Sequence, residues 1–370
     1  MKKRILSLIL ALVMIFALAA CGGGAKDDAN ANANANANSN AASDKQETPK
    51  DDGKVYELTF SMHDPADSGI GPWHQAWIDE VAEKSNGRLK ITLYGSATLA
   101  TGPDVADMVE GGGADIGWVF TGFYAEQYPL SDVCGLVMEG FESCEATTNA
   151  LWDLYEATPE MQAEWADYQL LALYANPRNV IMTKGKKVES LADMKGLSLR
   201  TPAGQISTAL TTWGASPIGM PPNDIYQALE KNNINGVVWE SAGTVAFNVQ
   251  EQLDYYCNTP IFQGTFACVM NKDKFNSLPE DLQQVLIDTG IGREWSVATA
   301  IDFDERAAAA EKIIADAGVE FYELDAAVVE EMKAAIKGQA EAWGEAHSVG
   351  NLNGVDFVNL ARETVAKYNK

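Results

Sequence analysis

Arg200 is the side chain of this sequence whose type and position best suit the binding of a charged ligand. It lies near the end of the run Leu-Ser-Leu-Arg-Thr at 197–201, where apolar and polar residues alternate as in a half-buried strand, and Pro202 follows directly. The alternation places Arg200 on the face opposite to Leu197 and Leu199. A guanidinium group is planar, stays charged, and offers paired donors that match the two oxygens of a carboxylate. The sequence therefore predicts an anion-binding residue at the end of this strand.

Strands and helices alternate along the chain from about residue 55, and these elements must position Arg200. The pattern predicts strands at 55–62, 89–94, 115–120, 170–175, 197–201, 215–220, 236–239 and 265–271. It predicts helices at 72–84, 103–109, 204–213, 223–231, 279–317 with a break near Gly290 and Gly292, 325–345 and 355–368. Such alternation is typical of an α/β fold with parallel strands, and a folded part of this length suits two domains.

Further candidate site residues follow the predicted strand ends, because ligands of open α/β sheets bind beyond the carboxyl ends of strands. They are His63, Trp118, Phe120, Phe123, Arg178, Pro222 and Trp239. Alternatives stay open for several of them. Phe120 and Phe123 could belong to the core beneath the strand ends, and Arg178 could be a surface arginine beside a proline turn. For Arg200 the alternative is a structural ion pair between two lobes.

The segment from Asp193 to Trp239 contains the runs DMKGLSLRTP, WGASPIGMP and NDIYQALEKNNINGVVW. In these runs the chain resembles the solute-binding subunits of TRAP (tripartite ATP-independent periplasmic) transporters, the DctP family. The resemblance extends over nearly all of the folded part and is most specific at 193–229. It implies a two-lobe α/β fold, similar to class II periplasmic binding proteins, that closes like a clamshell, with hinge strands and long C-terminal helices.

The resemblance also implies a division into lobes and roles for two arginines. Residues 55–176 and 265–300 would form lobe I, and residues 177–264 and 301–370 would form lobe II, with the crossing strands as the hinge. In the family, the arginine of the run K-G-L-K-x-R-x-P usually clamps the carboxylate of an organic acid, and the resemblance gives this role to Arg200. Many members have a second arginine at the position that Arg178 occupies in Ala-Asn-Pro-Arg-Asn.

The sequence departs from the family where it would meet the ligand. The usual run D-G-x-x-N-P is replaced by Asn-Gly-Val-Val-Trp-Glu at 235–240, so that Trp239 stands in place of a polar asparagine. Trp118, Phe120 and Phe123 stand where the sialic-acid-binding branch has polar and charged groups. A buried hydroxyl without a partner costs about 1–3 kcal/mol, whereas apolar burial gains about 25 cal/mol per Å². The sequence therefore predicts a monocarboxylate ligand with an apolar or aromatic body rather than a sugar acid.

The amino terminus has the pattern of an exported lipoprotein. Residues 1–20 begin with Lys2, Lys3 and Arg4 and continue with an apolar run too short for a comfortable membrane span, as in a secretory signal peptide. The run ends in Leu-Ala-Ala-Cys, which resembles a bacterial lipobox and implies lipidation at Cys21; the alternative is an ordinary signal peptide cut elsewhere. Residues 21–54 are rich in Gly, Ala, Asn and Ser and predict a flexible tether. We therefore expect a lipid-anchored protein at the outer face of the cell membrane.

Composition argues against several other classes of protein. A formal net charge of −25 makes nucleic acid an unsuitable partner. Three histidines are present and none pairs with a cysteine at ligand spacing, so we expect no metal and no cofactor. The run Gly-Ala-Ser-Pro-Ile at 214–218 lacks the second glycine of a hydrolase motif, so we do not expect an enzyme. The sequence leaves open whether Cys134, Cys144, Cys257 and Cys268 form two disulfides or remain buried thiols.

The resemblance implies a binding protein that works by lobe closure. The solute enters an open cleft, and the lobes close because the ligand binds the closed form more tightly. The implied partners are a small organic acid and the two membrane subunits of a TRAP permease, which is driven by an ion gradient. Delivery to an ATP-driven transporter and a role in a membrane sensor are the alternatives. The sequence does not fix the solute or the oligomeric state.

Overall fold

The structure, a computed structural model, describes residues 53–202 and 204–369. The predicted signal peptide at 1–20, the predicted lipidation site Cys21 and the tether as far as residue 52 lie outside these residues. Among the described residues, none of the helices is both long enough and apolar enough to cross a membrane.

Two β-sheets organise the described part of the chain. Its strands are β1 (Tyr56–Ser61), β2 (Leu89–Tyr94), β3 (Ile116–Phe120), β4 (Tyr168–Ala175), β5 (Val180–Thr183), β6 (Ser198–Thr201), β7 (Ser216–Gly219), β8 (Gly236–Trp239), β9 (Tyr255–Cys257), β10 (Thr265–Asn271) and β11 (Glu320–Tyr322). The first sheet has the order β2-β1-β3-β10-β4, and the second has the order β11-β9-β5-β8-β6-β7. Arg200 lies on β6 in the second sheet, whereas Trp118 lies on β3 in the first. The predicted two-lobe α/β fold is confirmed, with one sheet in each lobe.

Both sheets are mixed. β1 runs parallel to β2 and β3, as the alternation of strands and helices predicts. β10 runs antiparallel to both of its neighbours, and β5 runs antiparallel to β8 and β9. The expectation of parallel strands is wrong for β10, and β5 lies where no strand was predicted. Both run antiparallel to their neighbours because each enters its sheet directly from the other sheet. A parallel neighbour would need a crossover connection on the same sheet.

Fourteen helices surround the sheets in the described residues. They are α1 (Gly71–Lys84), α2 (Val105–Glu110), α3 (Cys144–Ala157), α4 (Pro159–Ala163), α5 (Leu191–Met194), α6 (Gln205–Thr212), α7 (Pro222–Glu230), α8 (Ser241–Ala246), α9 (Lys272–Ser277), α10 (Glu280–Gly290), α11 (Arg293–Asp316), α12 (Ala326–Ala335), α13 (Gln339–Ala346) and α14 (Gly354–Tyr368). Side-chain caps fix several starts: Ser143 accepts a hydrogen bond from the Ala146 N–H at 3.3 Å, which satisfies an otherwise unpaired donor of α3. The single helix expected at 325–345 is two helices, α12 and α13. Gly338 lies between them with a φ of 86°, a left-handed conformation that a continuous helix does not contain.

Two extended segments, 176–179 and 258–264, cross between the sheets side by side. The Asn179 N–H donates to the Phe262 carbonyl at 2.8 Å, and the Ile261 N–H donates to the Asn179 carbonyl at 2.9 Å. The two crossings are therefore paired with each other like neighbouring strands, which is the geometry expected of hinge strands.

Helix α11 is shared by both lobes. Near its N-terminus, Ser296 Oγ accepts a hydrogen bond from the Leu173 N–H of β4 at 3.1 Å. Further along, the Ala307 carbonyl accepts a hydrogen bond from Ser241 Oγ of α8 at 3.0 Å. This helix therefore forms a third connection between the lobes.

The last two helices pack on the first lobe, which corrects the assignment of all of residues 301–370 to lobe II. Phe357 of α14 and Trp343 of α13 are buried in the same apolar cluster as Leu151 of α3. Met332 of α12, in contrast, is buried in a cluster of the second lobe. Periodicity indicates that α13 and α14 have an apolar face, but it does not indicate which lobe that face meets.

The four cysteines whose pairing the sequence leaves open are buried free thiols, namely Cys134, Cys144, Cys257 and Cys268. Burial raises the pKa of each of these thiols above its ordinary value, because a thiolate would lose its hydration. All four therefore stay protonated at neutral pH and pack as small apolar side chains.

Candidate functional site

A pocket between the two sheets contains all but one of the predicted ligand-binding residues. It is lined by the predicted residues His63, Trp118, Phe120, Phe123, Arg200, Pro222 and Trp239. It is also lined by Asp64, Asn176, Asn179, Pro202, Glu240, Phe266 and Phe303, which the sequence analysis did not single out. The space among these side chains, counted together with the solvent at its mouth, is about 430 Å³. Rings with a few polar groups among them are the usual lining of a small-molecule site.

Arg200 lines this pocket without an acidic partner. The residue is 2 % exposed, and its Nε and Nη2 both donate to the Met220 carbonyl oxygen, at 3.2 and 3.1 Å. The guanidinium lies over the Trp239 ring, 5.0 Å from its centre. Burial lowers the pKa of Arg200 to about 10, so the group is charged at neutral pH. No carboxylate of the described residues lies within ion-pair distance of Arg200, although the charge of Asp64 on the other lobe acts to raise its pKa.

The register of β6 explains how Arg200 reaches the pocket. β6 lies between β7 and β8, with Arg200 beside Ile218 on one side and Val237 on the other. The preceding residue, Leu199, is fully buried in an apolar cluster of the second lobe. Neighbouring side chains of a strand point to opposite faces, so the residue that follows Leu199 faces away from that cluster.

Rings of the first lobe form another wall of the pocket. Trp118 stacks on His63 and on Phe266, with ring centres 4.6 and 4.1 Å apart. The indole N–H of Trp118 donates to the Tyr174 hydroxyl at 2.6 Å, which satisfies its polar atom and fixes the ring. The wall is therefore a prearranged aromatic stack.

Phe120 and Phe123 belong to both the pocket and the core. The two rings meet edge to face with their centres 5.2 Å apart. Phe120 is 7 % exposed and lies in the same apolar cluster as Trp118. Phe123 is partly buried and packs against that cluster and a second one. The two alternatives that the sequence leaves open for these residues are therefore not exclusive.

Glu240 is a buried carboxylate whose hydrogen bonds are satisfied within the protein. It caps α8 by accepting the N–H groups of Ala242 and Gly243, at 2.6 and 2.5 Å. Burial raises its pKa to about 8, although the backbone donors act in the opposite direction. Glu240 therefore serves to start α8 beside the pocket.

Asp64 is a buried carboxyl group with few partners. It is 6 % exposed, and His63 Nε2 lies 3.7 Å from its Oδ1. Burial raises the pKa of Asp64 to about 7, and the positive charge of Arg200 only partly offsets this. Burial, followed by the charge of Arg200, lowers the pKa of His63 to about 3, so the imidazole is neutral at physiological pH. The pocket thus holds the permanent cation of Arg200 and two carboxyl groups, Asp64 and Glu240, whose pKa values lie near neutrality.

The raised pKa of Asp64 predicts a pH-dependent effect on stability. Its pKa rises from 3.8 in the unfolded chain to about 7 in the folded one, so this group lowers the stability of the fold progressively between about pH 4 and pH 7 and by a constant amount above that. We expect Asp64→Asn to raise the free energy of unfolding by at least about 1 kcal/mol at pH 8, where the shift allows up to about 4 kcal/mol, and by less than about 1 kcal/mol at pH 4. Arg200, His63 and Glu240 face the same group and are unchanged in the variant. Urea denaturation at both pH values measures this, with the exposed Asp67→Asn as control; equal gains at both pH values would contradict it.

Arg178 lies outside this pocket, which corrects its predicted role as a second ligand-binding arginine. Its Nη2 donates to Asn258 Oδ1 at 2.6 Å and to Glu311 Oε1 at 3.1 Å. The side chain borders a separate groove together with Pro260 and Tyr368. The side chain instead pairs with Glu311 of α11, which favours the alternative of an arginine beside a proline turn.

The pocket residues that the sequence analysis missed fall into two kinds. Asp64 and Glu240 each follow directly after a residue that was singled out, and Asn176 stands two positions before Arg178. The strand-end rule could have found these. Phe266 on β10 and Phe303 on α11 carry no comparable signal, because distant parts of the chain bring them to the pocket.

A comparison with protein families identifies the class of this site. Residues 60–345 match the DctP family, described as bacterial extracellular solute-binding protein, family 7, and the match includes every residue that lines the pocket. The chain belongs to the DctP family. Its members and structural neighbours are solute-binding proteins rather than enzymes.

Two solved structures of TRAP solute-binding proteins are similar to this DctP protein over most of its length. One, from an unidentified marine microbe, is described as specific for aromatic acid ligands and contains metahydroxyphenylacetate; it is 27 % identical, covers 86 % of this chain and 100 % of its own, and has a TM-score of 0.80. The other, from Rhodoferax ferrireducens T118, contains copurified benzoate; it is 27 % identical, covers 85 % of this chain and 98 % of its own, and has a TM-score of 0.79.

A curated DctP relative has a different named ligand. The 2,3-diketo-L-gulonate-binding periplasmic protein of Escherichia coli K12 is 27 % identical over 223 residues, which are 57 % of this chain and 64 % of that relative. The match thus spans slightly less than two thirds of its length. Its name places that relative outside the cytoplasm, in line with the extracellular description of the family.

Proposed function

We propose that this protein captures an aromatic or apolar monocarboxylate and that Arg200 pairs with the carboxylate of the ligand. The observation that supports this is a buried guanidinium that makes no ion pair with any described residue, in a ring-lined pocket between two lobes. Nη1 makes no hydrogen bond within the described residues, and one hydrogen of Nη2 remains after the bond to Met220. Together these nitrogens can form a two-pronged contact with both carboxylate oxygens. A ligand carboxylate would thus supply the ion-pair partner that none of the described residues provides.

The aromatic lining supports the choice of ligand body. Trp118, Phe266 and Trp239 offer ring faces and edges, and ring stacking adds about 1 kcal/mol to the gain from burial. Sugar hydroxyls among these rings would lose water without finding partners, at a cost of about 1–3 kcal/mol each. The named ligands of the two similar structures, metahydroxyphenylacetate and benzoate, have the ring and the carboxylate that this pocket suits. The diketogulonate-binding relative represents the competing ligand class.

The position of the pocket supports a mechanism of capture by closure. Arg200 and Trp239 come from the second sheet, whereas Trp118 and Phe120 come from the first, so both lobes contribute to the site. When the lobes separate at the paired crossings, each half of the site becomes accessible to solute. Ligand then stabilises the closed form by its higher affinity for that form.

A ligand panel tests the proposed substrate class. We expect aromatic acids and 2-oxo acids to raise the melting temperature by several degrees, and hexuronates, sialate and C4 dicarboxylates to raise it by less than about one degree. The reason is that stabilisation grows with ligand concentration relative to Kd. Differential scanning fluorimetry at one common concentration measures this. Strong stabilisation by a hexuronate or sialate, with none by aromatic acids, would contradict the proposal.

We further propose delivery to the two membrane subunits of a TRAP permease. Membership of the DctP family supports this partner. Uptake of radiolabelled ligand into proteoliposomes that contain the two subunits encoded beside this gene should require the binding protein and an ion gradient. Uptake that requires ATP instead would assign the protein to an ATP-driven transporter.

We also propose that a lipid on Cys21 holds the protein at the outer face of the cell membrane. The run Leu-Ala-Ala-Cys and the Gly- and Asn-rich segment after it support this proposal. Cys21→Ser should release the protein from the membrane fraction and abolish labelling by radioactive palmitate in the native host. Membrane retention of the variant would contradict a lipid anchor at this residue.

A further inference from the structure

The carboxyl group of Asp64 has no role in the proposed carboxylate contact. It lines the pocket and is 6 % exposed. Within the described part of the chain it accepts no hydrogen bond, and its contact with His63 Nε2, at 3.7 Å, is longer than a hydrogen bond. Glu240, the other carboxyl group that lines the pocket, accepts two backbone N–H groups. Asp64 is therefore a buried polar group whose partner must come from the ligand or from water.

A buried carboxyl group that loses its water without gaining a hydrogen bond is costly. The carboxylate of the ligand cannot satisfy Asp64 while both are ionised, because like charges repel at short range. His63, next to Asp64, also has a buried nitrogen, Nδ1, that makes no hydrogen bond within the geometric limits among the residues that the structure describes. Both polar groups lie on the first lobe, whereas Arg200 lies on the second. A ligand whose carboxylate pairs with Arg200 can therefore present another part of its structure to Asp64.

We propose that Asp64 forms a second polar subsite that hydrogen-bonds an uncharged hydroxyl group on the body of the ligand. The preferred ligands are then hydroxylated aromatic acids rather than unsubstituted ones. The inference rests on the proposed function, because it takes Arg200 as the site of the carboxylate. Either protonation state of Asp64 serves, since a hydroxyl group can donate to a carboxylate and accept from a carboxylic acid.

A hydroxyl group fits this subsite better than an ammonium group does. An ammonium group brings three N–H donors into a pocket whose surface is largely aromatic. Asn176 Oδ1 is already used by the Gly264 N–H at 2.6 Å and by Asn179 Nδ2 at 3.3 Å. Asp64 alone would leave an ammonium group with unsatisfied donors, whereas a hydroxyl group needs a single partner.

The test compares ligands that share one skeleton. Phenylacetate is the parent acid; 2-, 3- and 4-hydroxyphenylacetate carry a ring hydroxyl, mandelate carries a hydroxyl beside the carboxylate, and phenylglycine carries an ammonium group there. Isothermal titration calorimetry gives Kd for each acid with wild type, Asp64→Leu and Asp64→Asn. Asp67→Asn, an exposed aspartate three positions along the chain, is the control variant.

We expect at least one hydroxylated acid to bind wild type about tenfold or more tightly than phenylacetate. In Asp64→Leu this advantage should fall below about threefold while phenylacetate still binds, because the leucine removes the hydrogen-bond partner and the repulsion together. Asp64→Asn, which keeps the shape of the side chain and one acceptor, should give an intermediate advantage. Asp67→Asn should behave as wild type.

Other results would overturn the inference. Equal affinities for all the acids in wild type would remove the subsite, and a hydroxyl advantage that survives in Asp64→Leu and Asp64→Asn would assign it to another residue. Tightest binding of phenylglycine would make it an ammonium site. In these cases the proposed function stands. If none of the acids binds wild type, the proposed function fails and the inference fails with it.

Discussion

Replacement of Arg200 by lysine is expected to weaken the binding of an aromatic monocarboxylate by at least about 2 kcal/mol, or roughly thirtyfold in Kd. Lysine keeps the charge but presents it as a compact ammonium group, which lacks the planar fork that can face both carboxylate oxygens while another edge donates to the Met220 carbonyl. It also loses the flat contact of the guanidinium with the Trp239 ring. Calorimetric titration of the wild type and the variant with one aromatic acid measures the difference.

Arg178→Lys is the matched control for this prediction. Arg178 pairs with Glu311 outside the pocket, and its side chain is 31 % exposed. An ion pair exposed to this degree contributes little, so the substitution should change ligand affinity by less than about 0.5 kcal/mol. If both variants bind like wild type, Arg200 does not hold the ligand; if Arg178→Lys is the weaker binder, the assignment of the two arginines must be exchanged.

Gly236→Ala is expected to lower the free energy of unfolding by about 3 kcal/mol. Gly236 opens β8, and a Cβ at this position would lie 2.2 Å from the Met182 carbonyl oxygen and 3.0 Å from the Thr183 Cα. Both are backbone atoms of β5, so no side chain can move aside and the two strands must separate. Separation would break ladder hydrogen bonds in the centre of the second sheet. Urea denaturation followed by circular dichroism measures the loss.

Gly219→Ala is the control for the glycine prediction, because it makes the same change in the same sheet. Gly219 ends β7, and a Cβ there would meet no heavy atom within 4 Å. We expect its unfolding free energy to differ from wild type by less than about 0.5 kcal/mol. Equal unfolding midpoints for the two alanine variants would mean that β5 and β8 tolerate the extra carbon, and the close approach would then have no energetic consequence.

The local part of the site could be predicted from the sequence because its signals are local. The alternation at 197–201 gives both the strand and the side of the strand on which Arg200 lies. Residues that follow strand ends, such as His63 and Trp239, gather at the pocket because strand ends of both sheets face it. A short-range pattern and one rule of sheet topology were sufficient for these positions.

The remainder of the site depends on contacts that a short-range pattern does not contain. Phe303 reaches the pocket because α11 passes both lobes, and Phe266 reaches it because β10 inserts antiparallel between β3 and β4. Arg178 occupies the position of the family's second arginine, but its side chain pairs with Glu311, 133 positions away in the sequence. For α14, the amphipathic pattern was correct and the choice of lobe was wrong. In each case the sequence carries the local preference, whereas packing between distant segments decides the neighbour.

The four buried thiols impose a condition on how the chain reaches its folded state. A protein of an extracellular family folds in surroundings that oxidise cysteine. Once Cys134, Cys144, Cys257 and Cys268 are buried, oxidants cannot reach them. In the nascent chain, however, any two of them can form a disulfide that is absent from the folded protein. Cys134 and Cys144 are the pair expected to form such a disulfide most readily, because they are near each other in sequence and closing a short loop costs little chain entropy. Productive folding therefore requires that the four thiols be buried before they are oxidised. A reductant present during refolding should improve the yield.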